Sequence, residues 1–271
     1  MLHVCPVDNL DLPELAPYRS MRWQFEHRQQ GIFVAEGEKV VHRLLESPLQ
    51  VISLLLPAKW VAAYADLLAR RAEDITAFTA EKNVLEKLTG FSMYQGVMAV
   101  AKVPQPLSLS EAIEGARKPL LFVAVDGISN ADNLGGLVRN CAAFGVDAIL
   151  VGETSCSPYL RRAVRSSMGN VFKLPVVESP HLADLLRELR TRSIHCVAAH
   201  PHTDQKTLAQ AYFVGDTAIV LGSEGAGISA AVLEICDESV LIPMSNEVDS
   251  LNVGTAGAIF LYEASRQRGR G

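Results

Sequence analysis

Ala218–Gly227 (AIVLGSEGAG) and Val240–Gly257 (VLIPMSNEVDSLNVGTAG) are the two stretches that decide the fold of this chain. Each begins with aliphatic, partly β-branched residues, which predicts a buried strand, and then passes into a loop of glycine, serine and asparagine before a helix. Open α/β sheets bind ligands at loops that follow the carboxyl ends of parallel strands, and glycine lets a ligand approach the main chain closely. The two stretches therefore predict a small-molecule pocket.

The bulk composition predicts a folded, cytoplasmic protein. With 271 residues, of which 49% are hydrophobic, the chain can form two modest domains or one large one. A net charge of −5 argues against coating nucleic acid by overall charge but leaves local basic patches open. The first residues do not resemble a signal peptide, and no apolar run reaches the ~20 residues that span a bilayer.

The cysteines and histidines do not predict a metal site or a disulfide framework. The five cysteines include no C-x-x-C pair, and three of them lie in apolar runs, which is typical of reduced thiols in a cytosolic core. His200 and His202 form a compact histidine pair, for which the exit of a strand into a loop is the simpler interpretation.

Alternating strand and helix patterns predict two α/β domains. The first covers residues 1–102, and the prolines and serines that follow it are typical of a linker, placed at 103–117. The second, residues 118–271, begins with the strand Pro119–Val125 and repeats the alternation to the helix Leu251–Ser265. Its pattern predicts a mostly parallel, doubly wound sheet.

The helix predicted over Asn133–Gly145 has one face that favours ligand approach. Asp132, Gly136, Arg139 and Ala143 recur at three- and four-residue steps, so Arg139 lies over a turn with few side chains. The predicted last helix also presents small residues, which permit close packing within the chain or between subunits.

Two basic clusters leave their role open. The stretch Tyr18–Gln30 (YRSMRWQFEHRQQ) mixes arginines with aromatic residues, and Arg161, Arg162 and Arg165 recur at helical spacing. Either cluster is compatible with a solvated helix face or with a surface that contacts RNA phosphates and bases.

Three ordered motifs in the second domain carry a family resemblance. They are Asn133-x-Gly135-x-x-x-Arg139, the loop Gly222–Gly227, and Ile242–Met244 together with Ser250–Val253. As a set they resemble the SpoU/TrmH family of RNA ribose 2′-O-methyltransferases, within the SPOUT superfamily. Further similarity at residues 165–172, 33–39 and 95–99 extends the likeness over nearly the whole chain.

The resemblance implies a C-terminal SPOUT domain with a deep trefoil knot that binds S-adenosylmethionine, usually as a homodimer. Periodicity does not predict a knot, because knots are rare in proteins. The N-terminal part is then the family's small α/β domain that binds the RNA substrate. Ser245-Asn246 and Gly254 stand where the family often has glycine and serine, respectively, and leave the Ser-Leu-Asn of the third motif intact.

The resemblance also implies the site residues. Arg139 is expected to activate the ribose hydroxyl, either as the proton acceptor or as a charge that stabilises the developing alkoxide. Glu224 is expected to orient that arginine, and Asn133 and Asn252 either hold substrate oxygens or cap local structure. The cofactor is expected to meet a set of mostly main-chain positions: Ala199, Gly222, Ile242, Met244 and Leu251.

Two other functions are compatible with parts of this pattern. One is a noncatalytic RNA-binding or ribosome-assembly factor that keeps the fold. The other is a nucleotide-dependent oxidoreductase, although the glycine spacing at 222–227 is G-x-x-G-x-G, and the dinucleotide fingerprint is G-x-G-x-x-G.

Overall fold

The computed structural model describes residues 1–7, 9–20, 24–89, 96–245 and 248–269. The chain folds into two compact units. Unit 1 comprises Met1–Gln105 and Tyr159–Phe172, and unit 2 comprises Pro106–Pro158 and Lys173–Gly271. No helix of the described residues is both long and apolar enough to cross a membrane.

Unit 1 contains a mixed five-stranded sheet in the order β1-β4-β3-β5-β2. Its strands are β1 (Leu2–Pro6), β2 (Ile32–Glu36), β3 (Val51–Leu56), β4 (Ile75–Thr79) and β5 (Met98–Lys102). Its first helices are α1 (Ala16–Arg19), α2 (Gln24–Gln29), α3 (Glu38–Glu46), α4 (Ala58–Ala63), α5 (Ala65–Ala69) and α6 (Lys82–Thr89). Strand β5 runs antiparallel to both β2 and β3, whereas the pairs β1/β4 and β3/β4 are parallel.

Unit 2 contains a seven-stranded sheet in the order β10-β12-β9-β11-β6-β7-β8, and its paired strands are parallel. Its strands are β6 (Leu121–Asp126), β7 (Ala148–Val151), β8 (Val176–Glu178), β9 (His195–Ala199), β10 (Lys206–Thr207), β11 (Thr217–Gly222) and β12 (Glu238–Leu241). The other α-helices of the described residues are α7 (Leu109–Glu114), α8 (Ala131–Ala143), α9 (Arg161–Ser166), α10 (Leu182–Thr191), α11 (Ala230–Leu233) and α12 (Val253–Gln267), of which α9 belongs to unit 1. The predicted α/β fold with a mostly parallel sheet is confirmed.

Helices α8 and α12 pack closely because a glycine lies between them. A Cβ atom added at Gly257 would lie 2.4 Å from Cδ1 of Leu137 in α8 and 3.2 Å from Cδ1 of Leu221 in β11. The side chain of Asn140 joins the helices by donating to the Gly254 carbonyl at 2.8 Å. Gly257 therefore serves packing within the chain. Separately, Gly145 has φ of 68° and follows the end of α8, as predicted.

The predicted linker contains a helix. Ser108 caps α7 through a capping box, in which its hydroxyl accepts from the Glu111 N–H at 3.2 Å and the Glu111 carboxylate accepts from the Ser108 N–H at 2.8 Å. Leu109 and Ala112 are buried in the core of unit 2. The sequence contains the signal for this helix, Ser-x-x-Glu at Ser108–Glu111, shortly after the two prolines of the linker.

Residues 159–172, which include α9, pack in unit 1, although the sequence placed them in the second domain. The ring of Phe33 in β2 stacks on that of Phe172 at 5.6 Å, and the Arg161 guanidinium pairs with the carboxylate of Glu36. These contacts attach the segment to β2. The domain boundaries themselves remain predictions.

The cysteines are free thiols. Cys141 and Cys196 are buried, whereas Cys5, Cys156 and Cys236 are partly exposed. Burial raises the pKa of Cys196 and of Cys236 to about 12, so both stay protonated at neutral pH. Within the described part of the chain, no group of three His, Cys, Asp or Glu side chains is placed to hold a metal ion.

Candidate active site

A cavity of about 310 Å³ opens in unit 2 at the carboxyl ends of β9, β11 and β12, beside the start of α12. The parallel pairing brings these ends together, since Gly222 lies opposite Asp126 and Val240 lies opposite Ala199. The five residues predicted to meet a cofactor all line the cavity: Ala199, Gly222, Ile242, Met244 and Leu251. Glu224 lines it as well, so the tertiary structure gathers residues that are far apart in sequence.

The glycine loop that begins at Gly222 is closed on itself by the main chain. Ser223 and Gly227 form an antiparallel bridge with two N–H···O bonds of 3.0 Å each. Gly227 has φ of 70°, a left-handed conformation that favours glycine. A Cβ atom at Gly222 would lie 2.1 Å from the carbonyl carbon of Gly227, so only glycine permits this closure.

Asn252 connects all three sequence motifs. Its Nδ2 atom donates to Oδ1 of Asn133 at 3.1 Å and to the carboxylate of Glu224. Its Oδ1 atom accepts from the N–H groups of Gly254 at 3.0 Å and Thr255 at 3.4 Å, which caps α12. Asn252 thus caps a helix, one of the alternatives left open by the sequence, and also bonds to two predicted site residues, whereas its contact with a substrate oxygen stays a prediction.

Asn133 is held in turn by a cap that the sequence motifs did not reveal. Oδ1 of Asn130 accepts from the N–H groups of Asp132 at 2.9 Å and Asn133 at 3.4 Å at the start of α8. The signal was an asparagine directly before the helical pattern. At Gly254, where the family often has serine, a Cβ atom would lie 3.1 Å from Oδ1 of Asn252, which ties this departure to the geometry of the cap.

Arg139 stands apart from the other predicted site residues. It is exposed on α8 and does not line the cavity. Among the described residues it makes no hydrogen bond or ion pair, so the expected orientation of Arg139 by Glu224 is not present here. Glu224 is bonded by Asn252 because that side chain lies at the start of α12, beside the glycine loop.

His200 and His202 follow β9 and line the cavity. Their rings lie 6.1 Å apart, edge to face, and the main-chain N–H of His200 donates to the Val240 carbonyl at 3.0 Å. The predicted strand-to-loop exit is confirmed. The sequence did not indicate that this exit forms part of the pocket wall.

In unit 1, several residues of the basic cluster at Tyr18–Gln30 take part in the fold, whereas Arg28 is exposed, and contact of this cluster with RNA stays a prediction. Tyr18 is fully buried, with its hydroxyl 2.8 Å from Oγ of Ser53, and His27 is also buried. The Arg19 guanidinium donates to the carbonyls of Leu10 and, at 3.2 Å, Leu12. Arg22 and Trp23 lie outside the described residues.

In the second basic cluster, only part of the charge faces solvent. Arg161 pairs with Glu36, whereas Arg165 approaches the same carboxylate at 3.6 Å with a side chain that is 64% exposed. Arg162 is also exposed. Arg161 therefore lies against β2, whereas Arg162 and Arg165 are exposed.

Comparison with known proteins decides the family. A model of the SpoU rRNA methylase family matches residues 120–262, more than half of the chain. The chain belongs to the SpoU rRNA methylase family. This family is one of RNA methyltransferases, and the matched range contains all nine predicted site residues.

The sequence similarity to known relatives extends over both units. An uncharacterized tRNA/rRNA methyltransferase of Mycobacterium tuberculosis is 34% identical over 240 residues, which cover 87% of this chain and 81% of the relative. A 23S rRNA (guanosine-2′-O-)-methyltransferase, RlmB, of Ralstonia nicotianae is 32% identical over 203 residues, which cover 74% of this chain and 81% of RlmB. Among solved structures, the SpoU methyltransferase AviRb of Streptomyces viridochromogenes in complex with AdoMet has a TM-score of 0.82 at 26% identity, covering 96% of this chain and 100% of AviRb.

Proposed function

We propose that this protein transfers a methyl group from S-adenosylmethionine to a ribose 2′-hydroxyl of structured RNA, ribosomal or transfer RNA. The observation that carries the proposal is the pair of hydrogen bonds from Asn252 to Asn133 and Glu224, because it joins three family motifs beside one cavity. The names of the relatives support it, since RlmB methylates a guanosine ribose of 23S rRNA and AviRb was crystallised with AdoMet.

The residues of the cavity fit a sulfonium cofactor. Its volume of about 310 Å³ lies at the lower end of the usual range for small-molecule sites. Leu221, Ile242 and Phe260 supply apolar surface for a base, and the glycine loop supplies main-chain polar groups. Glu224 and Asp249 line the same space without any lysine or arginine among the described lining residues, which favours a positively charged ligand.

When bound, S-adenosylmethionine supplies an electrophilic methyl group on a positively charged sulfur. Residues of this chain must then hold the ribose oxygen in line with that methyl group and exclude water. Asn252 positions Asn133 and Glu224 for this task, since its amide nitrogen donates to both side chains while its oxygen is held at the start of α12. Glu224 accepts the Asn252 bond as a carboxylate at the cavity wall.

Arg139 is proposed as the group that acts on the hydroxyl. A guanidinium carries positive charge and five N–H donors, so it favours binding of an RNA phosphate and stabilisation of the alkoxide that forms as the hydroxyl proton passes to a phosphate oxygen or water. Removal of the proton by Arg139 itself is the alternative. Its exposed position on α8, next to a Gly136 with open space around it, leaves room for RNA to approach.

We also propose the finer architecture implied by family membership: a trefoil knot in unit 2, an N-terminal RNA-binding domain, and a homodimer through unit 2. Tyr262 on α12 supports the dimer, since it is 59% exposed and packs edge to face on Phe144 at 6.4 Å. We likewise propose that the protein acts in the cytoplasm, where it would meet such RNA.

The proposal is tested by mapping 2′-O-methyl sites in total RNA from cells with and without the gene. One nucleotide should lose its methyl group in the deletion and regain it when the purified protein and S-adenosylmethionine are added to the unmodified RNA. A protein that binds S-adenosylmethionine and RNA but changes no methylation site would instead support the noncatalytic assembly factor.

A further inference from the structure

Asp126 is a buried carboxylate beside the cavity whose two oxygens are both engaged. It ends β6 opposite Gly222 and is only 6% exposed. Its Oδ2 atom accepts from the main-chain N–H of Ser229 at 2.7 Å, and its Oδ1 atom accepts from Oγ1 of Thr154 at 3.4 Å. A buried charge is costly unless it is hydrogen-bonded, so these partners determine where this carboxylate can lie.

The two groups next to Asp126 are the two ends of the glycine loop. Gly222 is the last residue of β11, and Ser229 is the residue that precedes α11. Between them, the bridge from Ser223 to Gly227 closes the loop. One side chain at the end of β6 therefore holds the exit of the loop beside its entry.

Asp126 does not line the cavity, so any effect on a ligand acts through the loop. Without an acceptor for the Ser229 N–H, the loop can adopt other conformations, and a ligand then binds only to the fraction of molecules in the right one. The apparent affinity equals the intrinsic affinity multiplied by that fraction.

We infer that Asp126 is a positioning residue that sets the affinity for S-adenosylmethionine by fixing the Gly222–Ser229 loop. The inference rests on the proposed function, because that function supplies the ligand. It extends the site to a residue whose partners are the loop and Thr154.

A matched carboxylate at the other end of the same strand provides the control. Oδ2 of Asp147 accepts from the N–H of Leu121, the first residue of β6, at 2.7 Å. Asp147 is likewise absent from the cavity lining. Asp147→Ala therefore removes a similar carboxylate-to-backbone bond without touching the loop.

The experiment compares the full-length wild type with Asp126→Ala, Asp126→Asn and Asp147→Ala. Calorimetry measures the dissociation constants of S-adenosylmethionine and S-adenosylhomocysteine, and hydrogen exchange measures protection of loop amides in the ligand-free protein. Asp126→Ala should weaken both ligands roughly tenfold or more and lose loop protection. Asp126→Asn keeps an acceptor for the Ser229 N–H, so its dissociation constants should stay within about threefold of the wild-type values. Asp147→Ala should lower the Tm with ligand affinity unchanged.

Three results would overturn the inference: wild-type affinity in Asp126→Ala, an equal loss in Asp147→Ala, or no recovery in Asp126→Asn. If Asp126→Ala does not fold, Ser229→Pro removes the donor and keeps the carboxylate, and the native φ of −63° at this position suits proline. This variant should weaken both ligands, and wild-type affinity would again refute the inference. If the wild type binds neither ligand, the proposed function fails. Hydrogen exchange of the loop amides in the ligand-free protein then still tests whether Asp126 fixes the loop.

Discussion

The Nδ2 atom of Asn252 lies 3.1 Å from Oδ1 of Asn133, although the two residues are 119 positions apart in the chain. The same nitrogen also donates to the Glu224 carboxylate. One amide thus joins the starts of α8 and α12 to the glycine loop. The geometry assigns two separable tasks to Asn252, a cap through its oxygen and a bond to the site through its nitrogen.

Substitutions at Asn252 should separate these tasks. Asn252→Asp keeps the capping oxygen but loses the donor and brings a second carboxylate against Glu224, so we expect methyl transfer to fall about 10²-fold or more with the cap retained. Asn252→Ala loses both, and we expect an additional loss of about 1 kcal/mol in the free energy of unfolding. Urea unfolding and single-turnover assays measure the two effects. Full activity in Asn252→Asp would show that only the cap matters.

Arg139→Ala should abolish methyl transfer while S-adenosylmethionine affinity stays within a few-fold, because Arg139 does not line the cavity. Loss of such a group typically costs about 10²–10³ in rate. Arg139→Lys tests its role, since lysine keeps the charge but loses the planar fork. Activity that rises with pH in the lysine variant favours proton abstraction, and near-zero activity at every pH favours bidentate positioning. Normal single-turnover rates in Arg139→Ala would remove this helix from the active site.

Gly222→Ala should disrupt the cofactor loop. The added methyl group would lie 2.1 Å from the Gly227 carbonyl carbon, which is main chain and cannot rotate away as a side chain can. We expect S-adenosylmethionine binding to fall below detection in calorimetry. Gly215→Ala is the control, because a Cβ atom there meets no atom within 4 Å. Equal affinity in the two variants would contradict the close approach seen in the loop.

RNA affinity should depend steeply on salt, and the contribution of each arginine should follow its environment. Arg162→Ala and Arg165→Ala remove exposed charges, and each should flatten the slope of log affinity against log salt by up to ~0.9. Arg161→Ala should mainly lower the Tm, because this arginine pairs with Glu36. Filter binding at several salt concentrations measures the slopes, and unchanged slopes in Arg162→Ala and Arg165→Ala would place RNA on another surface.

A fragment that begins at residue 106 should fold, dimerise and bind S-adenosylmethionine better than one that begins at residue 118. The longer fragment keeps α7, whose Leu109 and Ala112 are buried in the core of unit 2, and losing a buried leucine alone costs about 2–5 kcal/mol. Both fragments should lose RNA affinity because they lack most of unit 1. Light scattering and calorimetry compare them, and equal stability would mean that α7 is dispensable.

Much of the fold was predictable because local patterns repeat. Apolar runs predicted strands such as Pro119–Val125, which corresponds to β6 (Leu121–Asp126), and the periodicity and final glycine of α8 predicted its course. Strand β1 was missed, since five residues with a proline and a mostly exposed surface carry little pattern. Helix α7 was missed because the prolines before it obscured a capping box.

The candidate site divides in the same way. The glycine loop after a buried strand was visible in the sequence, and the family resemblance predicted five residues that line the cavity, but neither indicated His200 and His202. The motifs did not predict that Glu224 pairs with Asn252 and that Arg139 stands apart, because those contacts depend on the angles at which helices leave the sheet.

The sequence alone determined the alternation of strands and helices, the ordered motifs and the family to which they belong, because these depend on residue types at short spacing. Only the tertiary structure decided which side chains meet. The parallel register places Asp126 beside Gly222, and the packing of α12 on α8 brings Asn252 to Asn133. Likewise, Arg19 and Arg161 bond within the chain, whereas Arg165 approaches Glu36 with a side chain that stays mostly exposed. Hydrogen bonds and burial between distant residues follow from three-dimensional packing, which no local pattern in the chain encodes.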